Sequence, residues 1–322
     1  MGSGTPPPGH ADALMEQAQS SSSLARLLIV DGHAYAYRAF HAIRSLSAPD
    51  GSPTNAIFGF IKMCDRLRAS LTPSHLAVVW DGGLCAVRMT EHPAYKAQRP
   101  PMPDALESQI AQIEEYLQAA GVVSLCAEGI EADDWIATLA QAAAPRMSVV
   151  IASSDKDFMQ LVTPRIGLIN PNDKSEKIWS AEDVVAKAGV RPEQIVDWLA
   201  LIGDAVDNIP GVTGVGPKTA ADLLRQFGNI AGIQANLAQV KSERLRHALG
   251  TAWDVLERNR RLIGLKPIEK PVSIDSLVPA PPRQEVLLQL FTRWGFRGMK
   301  TALEASMTPS IPATDPVQQA LF

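Results

Sequence analysis

The feature that most constrains the fold is a repeated alternation of short apolar runs with amphipathic helical segments. The apolar runs, which have the length and composition of buried parallel strands, lie at 27–30, 76–80, 122–125 and 148–152. The helical patterns between them lie at about 53–69, 104–120 and 132–143. This alternation predicts an α/β fold with a mostly parallel central sheet flanked by helices.

The alternation ends near residue 180, which divides the chain into regions of different character. We expect an α/β core over residues 24–180, with a polar, basic and proline-bearing segment at about 84–103 that is a candidate mobile arch. Residues 181–305 carry only helical patterns. Residues 1–23 are expected to be a disordered tail and residues 306–322 a flexible one, because both lack a sustained apolar pattern.

Three of the predicted strands run into an aspartate. Asp31, Asp81 and Asp155 stand at or close to the ends of three apolar runs. Because ligands bind outside the carboxyl ends of the strands in open parallel sheets, these carboxylates can share one crevice. Any one of the acids alone is better explained as a helix cap or a solvated loop charge. Their repetition at strand ends is what favours a shared site.

Further acids stand near these three, at 131–134 and 155–157. Glu131 and Asp134 are three residues apart at a predicted helix start, so their side chains can face the same way. Carboxylates crowded into one pocket repel one another unless cations neutralise them, and oxygen ligands suit hard divalent ions such as Mg²⁺. No His or Cys lies within these motifs to indicate zinc. Paired ions about 4 Å apart are a known arrangement for phosphodiester hydrolysis.

The overall charge neither predicts a nucleic-acid partner nor excludes one. The formal net charge is −4, and leaving out the nine acids of the motifs described here adds nine charges and gives +5. A locally acidic site in an otherwise mildly basic protein is compatible with binding a polyanion.

Cysteine spacing and hydropathy indicate a protein of the cytoplasm. Cys64, Cys85 and Cys126 are widely spaced and form no C-x-x-C pair, which fits reduced thiols better than disulfides or a zinc site. No apolar run approaches the roughly 20 residues needed to span a membrane, and the N-terminus lacks a secretory signal pattern. We therefore expect a cytoplasmic monomer with no membrane partner.

The order and content of the motifs resemble a known family. The segments that carry the resemblance are LLIVDGHAYAYRAFHA, AVVWD, AYKAQR, EGIEADDWIATLA, SSDKDFMQLV and LIGDAVDNIPGVTGVGPKTA. From about Arg26 to Ala305 the chain is similar to the bacterial 5′–3′ exonuclease and flap endonuclease family, which includes the N-terminal nuclease domain of DNA polymerase I. The resemblance implies a PIN-like nuclease core and two or more Mg²⁺ or Mn²⁺ ions. It implies metal-site roles for Asp31, Asp81, Glu131, Asp133, Asp134, Asp155, Asp157, Asp204 and Asp207.

Basic residues near the acids are candidates to hold the phosphate. A guanidinium can bind two phosphate oxygens at once, whereas the lysine ammonium is a compact point charge. By resemblance, the catalytic cations are Lys96, Arg38 and Arg99. Tyr95 and Arg88 are the expected DNA contacts, with Tyr95 stacking on a displaced base. The open alternative is a solvated loop with ordinary surface cations. The family usually has an aromatic residue directly before the arginine that matches Arg88. Val87 occupies that position here, which weakens any stacking role for it.

Residues 211–219 form a glycine-rich turn, GVTGVGPKT, that opens a predicted helix. The turn is not a Walker A loop, because a proline separates its last glycine from the lysine, and it lacks the third glycine of a dinucleotide fingerprint. Backbone N–H groups at a helix start suit a phosphate. The turn resembles the family's helix–hairpin–helix, at about 203–226, whose carbonyls commonly hold K⁺; the alternative is a purely structural corner. The expected DNA contacts are Gly214, Gly216, Lys218 and Thr219.

The last five residues, QQALF, resemble the bacterial sliding-clamp-binding peptide Gln-x-x-Leu-Phe. The predicted clamp contacts are Gln318, Leu321 and Phe322, and chance composition is the alternative. A flexible tether of this kind would raise the local concentration of the enzyme at primer junctions.

The motifs together predict a metal-dependent nuclease that hydrolyses DNA near 5′ ends or at flap junctions, including RNA primers, in replication and repair. Because the resemblance accounts for all but the tails, we expect a free-standing protein with no polymerase module. Two other classes stay open. A non-catalytic protein that binds DNA structures would keep the hairpin but could lose acids, and a PIN-like ribonuclease would not need the element at 203–219.

Overall fold

The computed structural model describes residues 25–173, 175–269 and 271–308. Short runs of Val, Ile and Leu form the central sheet, since their branched side chains pack well on a pleated surface that is buried on both faces. The five strands are β1 (Arg26–Asp31), β2 (His75–Val79), β3 (Val123–Leu125), β4 (Ser148–Ala152) and β5 (Ile166–Ile169). They lie in the order β3-β2-β1-β4-β5, and every neighbouring pair is parallel.

Helices connect the strands and continue to the end of the described chain. In the first part they are α1 (Gly32–Ala42), α2 (Asn55–Leu71), α3 (Ala86–Glu91), α4 (Asp104–Ala119), α5 (Ala132–Ala143) and α6 (Ala181–Ala188). The later ones are α7 (Ile195–Ile202), α8 (Pro217–Phe227), α9 (Ile230–Ala235), α10 (Glu243–Gly250), α11 (Trp253–Ile263), α12 (Gln284–Arg293) and α13 (Arg297–Met307). Short 3₁₀ helices lie at Lys156–Leu161, Pro192–Gln194, Leu237–Gln239 and Ile274–Leu277.

The sheet separates two apolar cores. Along β1, Leu27 and Ile29 face one side and Leu28 and Val30 face the other, as the two-residue period of a strand requires. The first core contains α5 and most of the later helical region, and the second contains α1, α2, α4 and the end of the described chain. These strands are therefore fixed on both faces, and the positions where they end are fixed with them.

The chain connections reverse direction beside β1, which pairs with β2 on one edge and with β4 on the other. In open parallel sheets a crevice forms outside the carboxyl ends of the strands at such a switch point. The predicted α/β class and the mostly parallel sheet are confirmed.

Several elements differ from the sequence-based expectation. The predicted helix start at Ser52-Pro53 is displaced, because Thr54 is the N-cap and α2 begins at Asn55. Strand β5 was not predicted, and neither was an antiparallel pair of two-residue strands, β6 (Gly203–Asp204) and β7 (Ile209–Pro210). The predicted tail at 1–23 and the peptide at 318–322 lie outside the described residues.

Candidate active site

Asp31 ends β1 and begins α1, and its carboxylate is held from two directions. It accepts hydrogen bonds from the Ala34 backbone N–H at 3.0 Å and from the Ser153 hydroxyl at 2.6 Å. Gly32 follows it because a Cβ there would lie 2.5 Å from the Trp80 ring. Burial raises the pKa of Asp31 despite these hydrogen bonds. The carboxylate is therefore rigid, buried and suited to a cation.

Asp81 lies two residues after β2, in a turn that its own side chain stabilises. Its carboxylate accepts from the Gly83 N–H at 2.8 Å, and its backbone N–H lies 3.2 Å from His33 Nδ1. Burial lowers the pKa of His33, which fits a neutral ring that accepts this hydrogen bond. His33 therefore helps to hold the Asp81 turn, and it also lines the site.

Asp155 follows β4 and caps the 3₁₀ helix at Lys156–Leu161. Its carboxylate accepts from the Asp157 N–H at 2.9 Å, and its own N–H donates to the Ser153 hydroxyl at 3.1 Å. Ser153, fully buried, thus joins the strand-end acids of β1 and β4. Sequence reasoning did not single out Ser153, because a serine before an acid at a strand end is ordinary loop composition.

Four of the predicted acids line one open cavity of about 610 Å³. They are Asp31, Asp81, Asp133 and Asp155, and Arg99 also lines this cavity. The three strand-end aspartates are therefore brought together as predicted.

Three further acids form a second group. Carboxylate oxygens of Asp157, Asp204 and Asp207 lie within 4.8 Å of one another. Asp204 and Asp207 are supplied by the β6–β7 hairpin, and Lys156 Nζ lies 3.1 Å from Asp204. Asp155 of the first group is the N-cap of the 3₁₀ helix, and Asp157 of the second group lies two residues later in its first turn. The start of this helix therefore connects the two acidic groups.

The donor set of both groups fits divalent cations. Burial and the neighbouring Asp155 carboxylate raise the pKa values of Asp133 and Asp157 well above the usual range, and burial raises that of Asp155. Asp157 Oδ1 is buried and accepts no hydrogen bond from the described residues. Oxygen ligands that repel one another, one of them unsatisfied, are what a hard cation would neutralise.

Glu131 and Asp134 are placed differently from the prediction that all nine acids form one metal site. Arg88 donates to both oxygens of Asp134, at 2.7 and 2.9 Å, and to Glu131 at 3.1 Å. Although burial opposes it, the Lys96 and Arg88 cations hold the pKa of Glu131 below its usual range. In this arrangement internal cations occupy the oxygens of these two acids, and the metal-site role expected of them stays a prediction.

Arg88 and Tyr95 are also displaced from their expected roles on DNA. Arg88 is 2% exposed, and its side chain lies between α5 and the carbonyl of Leu262. The Tyr95 hydroxyl donates to Glu131 at 3.1 Å from a buried position, so its ring has no free face for a base. In this structure both residues attach the segment at 84–103 to the core, and the DNA contacts expected of them stay predictions.

The three predicted catalytic cations lie in three different environments. Lys96 has a side chain that is 1% exposed and lies 2.9 Å from Glu131 and 3.8 Å from Asp133. Arg99 is half-exposed and pairs with Asp207 at 2.6 Å. Arg38 lines a separate cavity of about 420 Å³ beside Arg66. The structure thus brings Arg99 to the acidic cavity, keeps Lys96 beneath the surface and directs Arg38 elsewhere.

The glycine-rich turn joins β7 to α8. Gly214 has φ +83°, which favours glycine, and Gly216 is the N-cap of α8, with Pro217 at the first helical position. Lys218 is exposed in the first turn of the helix and Thr219 is half-buried. Helix α7, the β6–β7 hairpin and α8 therefore form a continuous helix–hairpin–helix that carries two acids of the second group.

The arrangement is typical of nucleases whose active sites are built from carboxylates. It combines a parallel sheet, two acidic groups at the switch point of that sheet and a helix–hairpin–helix beside them. A model of the 5′–3′ exonuclease N-terminal resolvase-like domain matches residues 26–189, and one of the 5′–3′ exonuclease C-terminal SAM fold matches residues 190–285. The chain belongs to the 5′–3′ exonuclease family.

Curated relatives agree with this assignment. The 5′–3′ exonuclease of Aquifex aeolicus is 43% identical over 218 residues, which are 67% of this chain and 75% of that protein. DNA polymerase I of Pseudomonas aeruginosa is 42% identical over 285 residues, which are 85% of this chain and 31% of the polymerase. The chain thus spans about a third of the length of this polymerase relative.

Solved structures share the fold. The T5 D15 protein co-crystallised with metal ions has a TM-score of 0.63 at 23% identity, covering 82% of this chain and 96% of that one. The catalytic core of Rad2 in complex with a DNA substrate has a TM-score of 0.60 at 15% identity, covering 92% and 98%. The family inferred from the sequence is thus confirmed by the family models, and the inferred fold is confirmed by these structures. Within the described ranges, no helix has the length and apolar character needed to cross a bilayer.

Proposed function

We propose that the protein hydrolyses phosphodiester bonds of DNA near 5′ ends and at 5′ flaps, RNA primers included, in replication and repair. The observation that carries this proposal is the joining of two acidic groups to a helix–hairpin–helix through Asp204 and Asp207. A PIN-like ribonuclease would need the acids without this DNA-gripping element. The T5 D15 flap endonuclease, a structural neighbour, is described in a pseudo-enzyme–product complex with DNA and metal ions.

Two or more Mg²⁺ or Mn²⁺ ions are the proposed cofactors. The cavity acids Asp31, Asp81, Asp133 and Asp155 would hold one, and Asp157, Asp204 and Asp207 would hold another. Such ions activate a water molecule and stabilise the leaving oxygen when bound. Glu131 and Asp134 would act indirectly, by fixing Lys96 and Arg88.

The cations of the site would orient the phosphate. Arg99 lines the acidic cavity and can exchange its bond with Asp207 for a phosphate. Lys96 would reach the phosphate only after leaving Glu131. In this proposal, movement of the part of the segment that carries Lys96 is therefore a step of substrate binding, while residues 83–85 stay bonded to Asp81 and Glu131.

The helix–hairpin–helix would hold the duplex backbone without reading its sequence. Gly214 and Gly216 would leave the backbone open to a phosphate, with a charge from Lys218 and a hydroxyl from Thr219. A K⁺ ion on the turn carbonyls and a sliding clamp bound to Gln318, Leu321 and Phe322 remain predictions from the sequence.

The test is cleavage of a labelled duplex with a 5′ flap in Mg²⁺. Wild type should release the flap, and Asp155→Ala should lower kcat at least about 100-fold because a cavity carboxylate is lost. The matched control is Asp275→Ala, since Asp275 forms only an exposed ion pair with Arg146. Flap binding without cleavage by wild type, across divalent metals, would instead favour a non-catalytic DNA-binding protein.

A further inference from the structure

The lining of the acidic cavity includes apolar side chains that the metal and phosphate chemistry does not use. Its lining includes Tyr37, Leu84 and Met102 in addition to the four carboxylates. Leu84 is 44% exposed, which places a large aliphatic side chain in water at the mouth of a charged site. Apolar side chains that line a ligand cavity can pack against the ligand.

The backbone holds Leu84 in register with the acids. The residue before it, Gly83, donates to Asp81 at 2.8 Å, and the residue after it, Cys85, donates to Glu131 at 3.1 Å. The turn is further attached to the core because Gly82 accepts from the Gly129 N–H at 2.9 Å. Leu84 is thus fixed between hydrogen bonds to two acids, unlike a leucine on a loose loop.

A nucleotide whose phosphate lies at the carboxylates must place its base elsewhere in the cavity. A volume of about 610 Å³ exceeds what a phosphate and its ions need. Every nucleobase has an apolar face, so an aliphatic side chain can pack on it without selecting a sequence. Leu84 has no hydrogen-bonding group, which suits an enzyme that recognises structure and not base identity.

We infer that Leu84 is a substrate-positioning residue that packs against the base of a nucleotide flanking the scissile phosphate. This inference rests on the proposed nuclease function and extends it to a base contact. Loss of the contact would loosen the nucleotide relative to the acids, so both substrate affinity and the reacting geometry would suffer.

The experiment combines protein variants with substrates that lack one base. Leu84→Ala and wild type are compared on flap duplexes carrying either normal nucleotides or an abasic residue, placed in turn on each side of the scissile phosphate. Leu84→Ala should lower kcat/KM about 10-fold on the normal duplex, as loss of buried apolar contact predicts. On the duplex whose contacted base is missing, the two enzymes should differ less than about twofold.

Two further variants separate packing on the base from a general effect of the segment. Leu84→Met keeps an aliphatic side chain of similar size and should recover most of the activity. Val87→Ala is the matched control, because Val87 is 54% exposed on the same segment but does not line the cavity. Its effect should not depend on the abasic residue.

An equal loss on normal and abasic duplexes at both positions would overturn the inference, because it would give Leu84 a structural role. Unchanged kcat/KM in Leu84→Ala would overturn it too. Fluorescence anisotropy measures binding of the same duplexes in Ca²⁺. It therefore tests the Leu84 contact separately from the proposed cleavage. If wild type binds them without cleaving in Mg²⁺, the proposed function fails, while a base-dependent loss of affinity in Leu84→Ala would still support the contact.

Discussion

Arg88 shows how far the role of a single residue depends on where its segment packs. Its guanidinium is buried against Asp134 and Glu131, and it also donates to the Leu262 carbonyl at 2.9 Å. Replacing it with Met would leave the buried Asp134 carboxylate without its cation and Glu131 with Lys96 alone. We expect Arg88→Met to destabilise the protein by about 3–5 kcal/mol, the range for breaking a buried ion pair from one side. Urea denaturation measures this change.

The matched control is Arg66→Met, because Arg66 pairs with Glu176 while its side chain is 64% exposed. That substitution should change the free energy of unfolding by no more than about 1 kcal/mol. An Arg88→Met protein with wild-type stability and weakened DNA binding would return Arg88 to the DNA surface predicted from the sequence.

For single residues, the sequence predicts well where the strand-end acids lie in the fold and predicts poorly where the basic side chains lie. Asp31, Asp81 and Asp155 follow buried strands, so their meeting at one edge is a consequence of parallel pairing. Arg88 and Tyr95 lie in a polar, proline-bearing stretch. The local sequence of such a stretch does not distinguish a buried side chain from an exposed one. Their burial depends on Glu131 and the hairpin beyond residue 203, contacts that no local pattern encodes.

Among the elements, the segment that carries α3 is attached to the β6–β7 hairpin at Asp207 and at the asparagine that follows it. Asn208 donates to the Ala94 carbonyl at 2.8 Å, and its own carbonyl lies 2.9 Å from His92 Nε2. Its φ of 57° is left-handed, which Asn and Gly tolerate. Asn208→Gly should therefore keep the backbone and lose only the side-chain hydrogen bond. Amide hydrogen exchange of residues 92–97 should become about fivefold faster, as loss of roughly 1 kcal/mol predicts.

Thr72→Gly is the control for this element, because Thr72 is also left-handed, with φ 42°, at the C-terminus of α2. It should leave exchange at residues 92–97 unchanged. Unchanged exchange in Asn208→Gly itself would show that the backbone bond from Lys96 N–H to the Asp207 carbonyl, at 3.0 Å, is sufficient to hold the segment.

Elements with a clear apolar run were predictable, the short β3 included, and the other short strands were not. Strands β1, β2 and β4 have five or six residues and strongly apolar sequences. Strand β5 has four residues, one of them Gly167, and it is recognisable only by pairing with β4. The two-residue strands β6 and β7 have no sequence period at all, yet they carry Asp204 into the site. Their conformation depends on long-range packing.

For the whole molecule, the grouping of acids predicts how stability depends on pH and metal. Burial raises the pKa values of Asp31 and Asp155, and burial together with Asp155 raises those of Asp133 and Asp157. In metal-free protein these carboxyls bind protons more tightly when folded than when unfolded. Their contribution to stability is complete below the unfolded pKa of about 4 and is lost as pH rises through the raised values. Glu131, with a lowered pKa, has the opposite sign.

Divalent ions bind the deprotonated carboxylates and therefore compete with these protons. The rise in Tm caused by saturating Mg²⁺ should be larger at about pH 8 than at about pH 5, with stabilisation on the order of 3 kcal/mol at a hundredfold excess over Kd. Asp157→Asn removes a charge from the group with Asp204 and Asp207, so it should raise the metal-free Tm and shrink the Mg²⁺ shift. Asp275→Asn, on an exposed surface, should change neither.

Thermal unfolding in EDTA and in Mg²⁺ measures all three proteins, and a Mg²⁺ shift that is equal at both pH values would show that the acids are not held protonated by one another. A pH-dependent shift that is smaller in Asp157→Asn than in wild type and Asp275→Asn would instead locate the competing protons at the acids that the sheet and the hairpin bring together.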